Sequence, residues 1–336
     1  MADNHNNINA EYRQAERAYW QGRKSNPDIE NQYWHQEIKL IDAENETAFT
    51  KVDVVLLGYA CDEGVRRNRG RIGANEGPVS IRERLAKLPI HFENKTVADI
   101  GDIVCNDDDM EACQELFAYY IKKLIKNNVF PIAIGGGHDM SYGHFKGIFN
   151  VLQSNKNHKI GIINFDAHFD LRPVEKKANS GTPFYQILNE YKDAVSYFAV
   201  GIQQQSNTKE LFEIAKHRDN IDYAINYDCE SSSAELQALK EKLTPFINSV
   251  DYLYVTIDMD GFSSAYAPGV SAPSPLGFTP YFVFKMLTFL FNTKKVVSFD
   301  IAELNPMLDR DNITAVLAAK IIDFAVASQQ TGNVKH

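Results

Sequence analysis

The chain has 336 residues, 44% hydrophobic and 24% charged, with 35 basic against 44 acidic side chains and a formal charge of −9. This composition can bury a sizeable core and excludes wholesale disorder, a collagen-like chain and a coiled-coil rod. An acidic balance without a long Lys/Arg run also excludes the broad positive surface that nucleic acid or an anionic membrane requires.

The first 50 residues are polar, carry Trp20 and Trp34, and contain no alternation long enough for a strand, so they are expected to form a partly helical extension. Their amino-terminal end lacks an apolar h-region, and no later apolar stretch approaches the roughly 20 residues that span a bilayer; a cytoplasmic location is expected. From Lys51 the pattern changes. KVDVVLLGYA (51–60) is a short Val-rich apolar run closed by a polar loop, the signature of a buried strand. Similar runs recur at 129–137, 158–166, 194–202, 251–258 and 296–304. Amphipathic segments lie between them, such as 110–128, where Leu116, Tyr119, Tyr120, Lys123 and Leu124 form a helical stripe. Apolar strands alternating with helices imply a parallel sheet covered on both faces, and residues 51–336 read as one α/β domain. Cys61, Cys105, Cys113 and Cys229 form no CxxC pair and read as ordinary reduced, mostly buried thiols.

Polar residues collect at the carboxyl ends of these strands, where open α/β sheets bind ligands. After IGIINF comes Asp166-Ala167-His168-Phe169-Asp170. Alternation in an extended segment would turn its three polar side chains one way and the apolar pair the other. Asp258-Met259-Asp260 repeats the device after YLYVTI, and His138 follows three glycines that are expected to turn the backbone sharply. Asp300 and Glu303 close the last run. Four carboxylates and two imidazoles on one sheet edge carry a heavy desolvation and repulsion cost unless cations compensate them. Two divalent ions would do so. Oxygen and imidazole donors without thiolate suit Mn²⁺, with Fe²⁺, Co²⁺ and Zn²⁺ also compatible. A water bridging such ions becomes hydroxide near neutral pH, which makes the expected activity hydrolytic.

The pieces GGGHD (135–139), NFDAHFDLR (164–172), TIDMDGF (256–262) with APGVSAPSPLGF (267–278), and SFDIAELNP (298–306) together resemble the ureohydrolase superfamily of arginases, agmatinases and formimidoylglutamases. The resemblance implies a three-layer α/β/α fold around a parallel, eight-stranded sheet. It assigns one Mn²⁺ to His138, Asp166, Asp170 and Asp258 and a second to Asp166, His168, Asp258 and Asp260. It also assigns Glu303 to the amidine or guanidine of a small-molecule substrate; Asp170, a ligand that can also hydrogen-bond a bridging oxygen, is expected to carry a proton to the departing nitrogen. Segments 61–86, 135–147 and 180–186 look most like formimidoylglutamases, and the loop ANSGTPFYQ (178–186) lacks the histidine that arginases carry there. The resemblance therefore implies hydrolysis of N-formimidoyl-L-glutamate to L-glutamate and formamide. A urea-releasing agmatinase, arginase or guanidino-acid hydrolase is the alternative, and a homo-oligomer is left open.

A dicarboxylate substrate on an acidic protein needs local positive charge. Arg66, Arg67, Arg69 and Arg71 cluster in one loop, and Arg172 follows the last ligand by two residues. Arginine forks bind carboxylates bidentately, so Arg66, Arg67 and Arg172 are candidate substrate contacts, with Asn179 and Ser180 at the entrance. His144 is expected to pack structurally, the prolines 268, 273 and 275 to stiffen a loop beneath Asp260, and Asp300 to support a ligand from behind.

Overall fold

The computed structural model describes residues 9–329 apart from 27, 30, 46 and 154–157. Its strands are β1 (Ala10–Arg13), β2 (Lys39–Leu40), β3 (Val54–Ala60), β4 (Val97–Cys105), β5 (Phe130–Gly135), β6 (Ile160–Phe165), β7 (Val195–Ile202), β8 (Ile221–Ile225), β9 (Tyr252–Asp258) and β10 (Val296–Ala302). They form one sheet in the order β1-β4-β3-β5-β10-β9-β6-β7-β8, with β2 also on β4. Every pairing is parallel except β1 with β4.

Alternate residues of each central strand feed two separate apolar layers. Val54 and Leu56 of β3 join the layer beneath helices Gly77–Leu85, Ser233–Asn248, Pro280–Asn292 and Ile313–Ser328. Val55 and Leu57 join the layer beneath helices Met110–Lys126, Met140–Leu152, Pro183–Glu190 and Lys209–Lys216. Both sheet faces are thus covered, as the continuous apolar runs require. In Met110–Lys126 the buried stripe runs through Cys113, Phe117, Ile121 and Leu124 and is rotated from the expected one, leaving Leu116 and Tyr119 only half-buried.

The sheet has ten strands rather than eight. The parallel strands β3 to β10 number eight; residues before Lys51 supply the other two, which pair along the outer edge of β4. These strands are four and two residues long, too short to show a period. The same segment buries Trp20 and Trp34, whose indole N–H groups donate to Asp99 (2.8 Å) and Asp323 (2.7 Å).

Strand β4 itself escapes sequence reading because Asp99 and Asp102 interrupt its apolar run. Both carboxylates meet the fully buried Arg82, which donates two bonds to Asp99 (2.8 and 2.9 Å), one to Asp102 (2.6 Å) and one to the Gly101 carbonyl (2.8 Å). A buried guanidinium whose donors meet acceptors this closely makes an acidic strand tolerable.

Candidate metal centre

Strands β5, β10, β9 and β6 are consecutive neighbours in the sheet, and each delivers site residues at its carboxyl end. His138 follows β5, Glu303 follows β10, Asp258 ends β9, and Asp166 follows β6. Residues up to 165 positions apart in sequence thus meet on one edge, where the Glu303 carboxylate accepts the His138 backbone N–H at 2.9 Å.

The turn to His138 is shaped by close approach. None of Gly135, Gly136 and Gly137 has a positive φ. Instead a Cβ on Gly136 would lie 1.9 Å from the Cys61 carbonyl oxygen, so only glycine lets this backbone pass the β3 terminus. Gly136 and Gly137 donate N–H bonds there, to Tyr59 (2.8 Å) and Cys61 (2.9 Å). The 166–170 segment alternates as expected in burying Ala167 and Phe169, but Asp170 reaches the site from the left-handed region, with φ +48°. Glu303 also sits there, at φ +67°, a conformation that costs of order 1–3 kcal/mol and persists only where surrounding contacts impose it.

The buried His138 Nδ1 lies 3.0 Å from Asp170, 3.2 Å from Asp258 and 3.3 Å from Asp166. His168 Nδ1 lies 3.3 Å from Asp260 and 3.5 Å from Asp166. Asp166 spans both groups, with Oδ2 facing His138 and Oδ1 facing His168. Asp258 faces His138 with Oδ2, while its Oδ1 accepts the Asp260 N–H at 2.7 Å. Two donor groups result, His138/Asp166/Asp170/Asp258 and Asp166/His168/Asp260.

Behind the centre, His138 Nε2 meets the Thr256 hydroxyl at 3.0 Å. With Nε2 engaged there, Nδ1 is the ring nitrogen that faces the carboxylates. Two residues before Thr256 on the same strand, the Tyr254 hydroxyl donates to Asp300. Asp300 also engages His144, which is bonded to Ser298 as well.

The electrostatics call for cations. Burial, then the neighbouring carboxylates, pushes Asp258 well above the usual carboxylate range and raises Asp260; burial and Asp166 push Asp170 up to about 6. Burial alone would lower both imidazoles, yet the surrounding carboxylates hold His138 and His168 well above their ordinary value. His138 Nδ1 and Asp260 Oδ1 are buried without a hydrogen-bond partner. Unsatisfied donor atoms in a set of carboxylates and imidazoles fit divalent cations, and no sulfur belongs to either group.

A cavity of about 290 Å³ opens at this centre, and its lining combines His168, Asp170, Asp258, Asp260 and Glu303 with Asn68, Arg69, Arg172, Ser180 and Ser271. Arg66 and Arg67 do not line it. The carboxylate of Glu63, buried under the short helix Glu63–Arg67, accepts from both guanidinium groups at 2.6–2.8 Å, and Arg67 is pinned further by Glu111. Arg71 is spent on the carbonyls of Val270 and Ser271. Arg69 lines the cavity from a left-handed residue (φ +61°) and makes no ion pair among the described residues. Arg172 bonds Asn68 (2.6 Å), which donates to the Ser180 hydroxyl (3.1 Å). Asn179 lies outside in a wider cleft and caps its own turn by accepting the Gly181 N–H. Asn68 and Thr256 had no signal in the sequence, since a loop amide and a strand threonine are unremarkable until tertiary contacts place them.

The arginase family model matches residues 52–327. The chain belongs to the arginase family. Among the relatives of this arginase-family chain is a formimidoylglutamase of Legionella pneumophila subsp. pneumophila, 42% identical over 316 residues that cover 93% of this chain and 96% of the relative. A Bacillus subtilis formimidoylglutamase structure superposes with a TM-score of 0.78 at 22% identity, over 91% of this chain and 94% of that one. A Trypanosoma cruzi formiminoglutamase with two Mn²⁺ superposes with a TM-score of 0.73 at 25% identity, over 82% and 93%. Among the described residues of this family member, no helix is long and apolar enough to cross a membrane.

Proposed function

We propose that the chain is a formimidoylglutamase, hydrolysing the amidine C–N bond of N-formimidoyl-L-glutamate to L-glutamate and formamide. The observation that carries this reading is one cavity that brings both polarities together: Glu303 with the carboxylate–imidazole centre, and the guanidinium-bearing Arg69 and Arg172. A cationic amidine beside a carboxylate and two carboxylates beside guanidinium groups match that polarity. The 42% identity to the Legionella enzyme supports the same substrate.

His138, Asp166, Asp170 and Asp258 would hold one Mn²⁺, and Asp166, His168, Asp258 and Asp260 the other. Two such ions supply a hydroxide near neutral pH, since bound water can fall to a pKa of about 7, and they offset the buried carboxylates. Glu303 keeps one oxygen on the His138 N–H and offers the other to the amidine nitrogens, fixing the formimidoyl carbon over the centre. Arg69 and Arg172 grip the glutamate end, with Asn68 and Ser180 bracing Arg172. Asp170, lining the cavity, passes a proton to the departing glutamate nitrogen. The loop position that bears an imidazole in arginases holds no histidine here; Phe184 of that loop meets the His138 ring edge-on at 5.3 Å. A cytoplasmic location is part of this reading, supported by four cysteines without disulfides.

The test is product identity. The Mn²⁺-loaded enzyme is offered N-formimidoyl-L-glutamate, L-arginine, agmatine and a guanidino acid, and formamide and urea are quantified. Formamide from the first compound alone is expected; urea as the main product would overturn the assignment.

A further inference from the structure

Three of the four cysteines converge away from the carboxylate centre. The β3–β4 register pairs Ala60 with Val104, so Cys61 and Cys105 stand one step past the last paired residues on adjacent parallel strands. Cys113, in the first turns of helix Met110–Lys126, comes from the helical layer packed on that face. The three sulfurs all lie within 4.8 Å of one another, and all three thiols are free. Cys61 and Cys113 are buried and Cys105 is partly buried. The sequence concealed it because β4 reads as acidic and gives no reason to align its last residue with the end of β3.

We propose that Cys61, Cys105 and Cys113 form a third cation site, separate from the two-ion centre, that takes one soft thiophilic ion such as Cu⁺, Zn²⁺ or Cd²⁺ by thiolate ligation. The donor group is all sulfur, the ligand chemistry that selects soft ions against the hard Mn²⁺ expected in the carboxylate centre. A buried carboxyl group stands close to Cys61. The Asp139 side chain, 1% exposed, has one oxygen bonded to the Tyr59 hydroxyl at 2.7 Å and the other without a hydrogen-bond partner. Each thiol that becomes a ligand gives up its proton to solvent as its metal–sulfur bond forms; no electron is transferred. The bound ion ties β3, β4 and helix Met110–Lys126 together, so occupancy raises thermal stability.

The test uses the full-length Mn²⁺-loaded enzyme, freshly reduced and freed of thiol reagent, titrated with Cd²⁺. One Cd²⁺ per chain is expected beyond the retained Mn²⁺, with thiolate-to-cadmium charge-transfer absorption, proton release and a higher melting temperature. Cys105→Ser, at the partly buried ligand, loses the absorption and the added Cd²⁺ while keeping Mn²⁺ content and hydrolytic activity, which also shows that it is folded. Cys229→Ser retains the band. Cd²⁺ uptake only with loss of Mn²⁺, or uptake without the charge-transfer band, would overturn the proposal.

Discussion

Replacing Glu303 by Gln separates substrate recognition from metal binding. The Gln amide oxygen can keep the bond from His138 N–H, at 2.9 Å in the native chain, so the loop carrying that ligand stays anchored. The second carboxylate oxygen becomes an NH₂ group, which points a donor at the donors of the amidine. A hydrogen bond to a charged group is worth about 1.5–3 kcal/mol. At about 1.4 kcal/mol per tenfold change, its loss lowers kcat/KM by roughly 10- to 150-fold. The native residue has strained backbone and a buried carboxyl pushed up to about 8, chiefly by desolvation and then by neighbours including Asp260 and Asp170, so the chain retains an acid there at a stability cost. Steady-state kinetics on N-formimidoyl-L-glutamate, with Mn²⁺ counted on the same samples, checks the outcome. Undiminished kcat/KM, or a loss accompanied by missing Mn²⁺, would refute a direct role for Glu303 at the amidine.

Arg82→Met should destabilise the fold by about 3–5 kcal/mol, because Asp99 and Asp102 stay buried without their partner; urea unfolding followed by circular dichroism reads it, and an unchanged midpoint contradicts the account of β4. Arg69→Ala or Arg172→Ala should lower kcat/KM for the dicarboxylate substrate roughly tenfold, mainly through KM, whereas Arg66→Ala should leave it unaltered because that guanidinium is committed to Glu63 and Asp108. In metal-free protein, burial and Asp166 place the Asp170 carboxyl at about 6, above its unfolded value. A carboxyl raised on folding stabilises fully only below its unfolded pKa of about 4 and loses that contribution as pH rises through the folded value. Asp258 and Asp260 shift the same way. Metal-bound protein holds these groups deprotonated with compensation, so the gap in melting temperature between loaded and chelator-stripped enzyme should widen from pH 5 to about 7; a narrowing gap would contradict it.

The local chemistry was legible in the chain itself. Apolar runs marked β3, β5, β6, β7, β9 and β10, and the histidine and aspartates at their ends stand where the sequence placed them, because strand period and residue chemistry are properties of short segments. Strand β4 was hidden by Asp99 and Asp102, whose neutralising Arg82 lies 17 and 20 positions earlier. Strands β1 and β2 were too short to carry a pattern, and β8, IDYAI, lies at the sheet edge with only Ala224 fully buried. Four arginines in one loop looked equivalent as a charge run; the buried Glu63 and the carbonyls of 270 and 271 engage three of them and leave Arg69 facing the cavity. The three thiols met only when β3 and β4 were laid side by side. Sequence determined which groups the protein possesses and on which kinds of element they stand. Tertiary structure decided which of them meet, because strand order brings distant residues within hydrogen-bonding range and each meeting removes a charge or donor from the set that remains to bind a ligand.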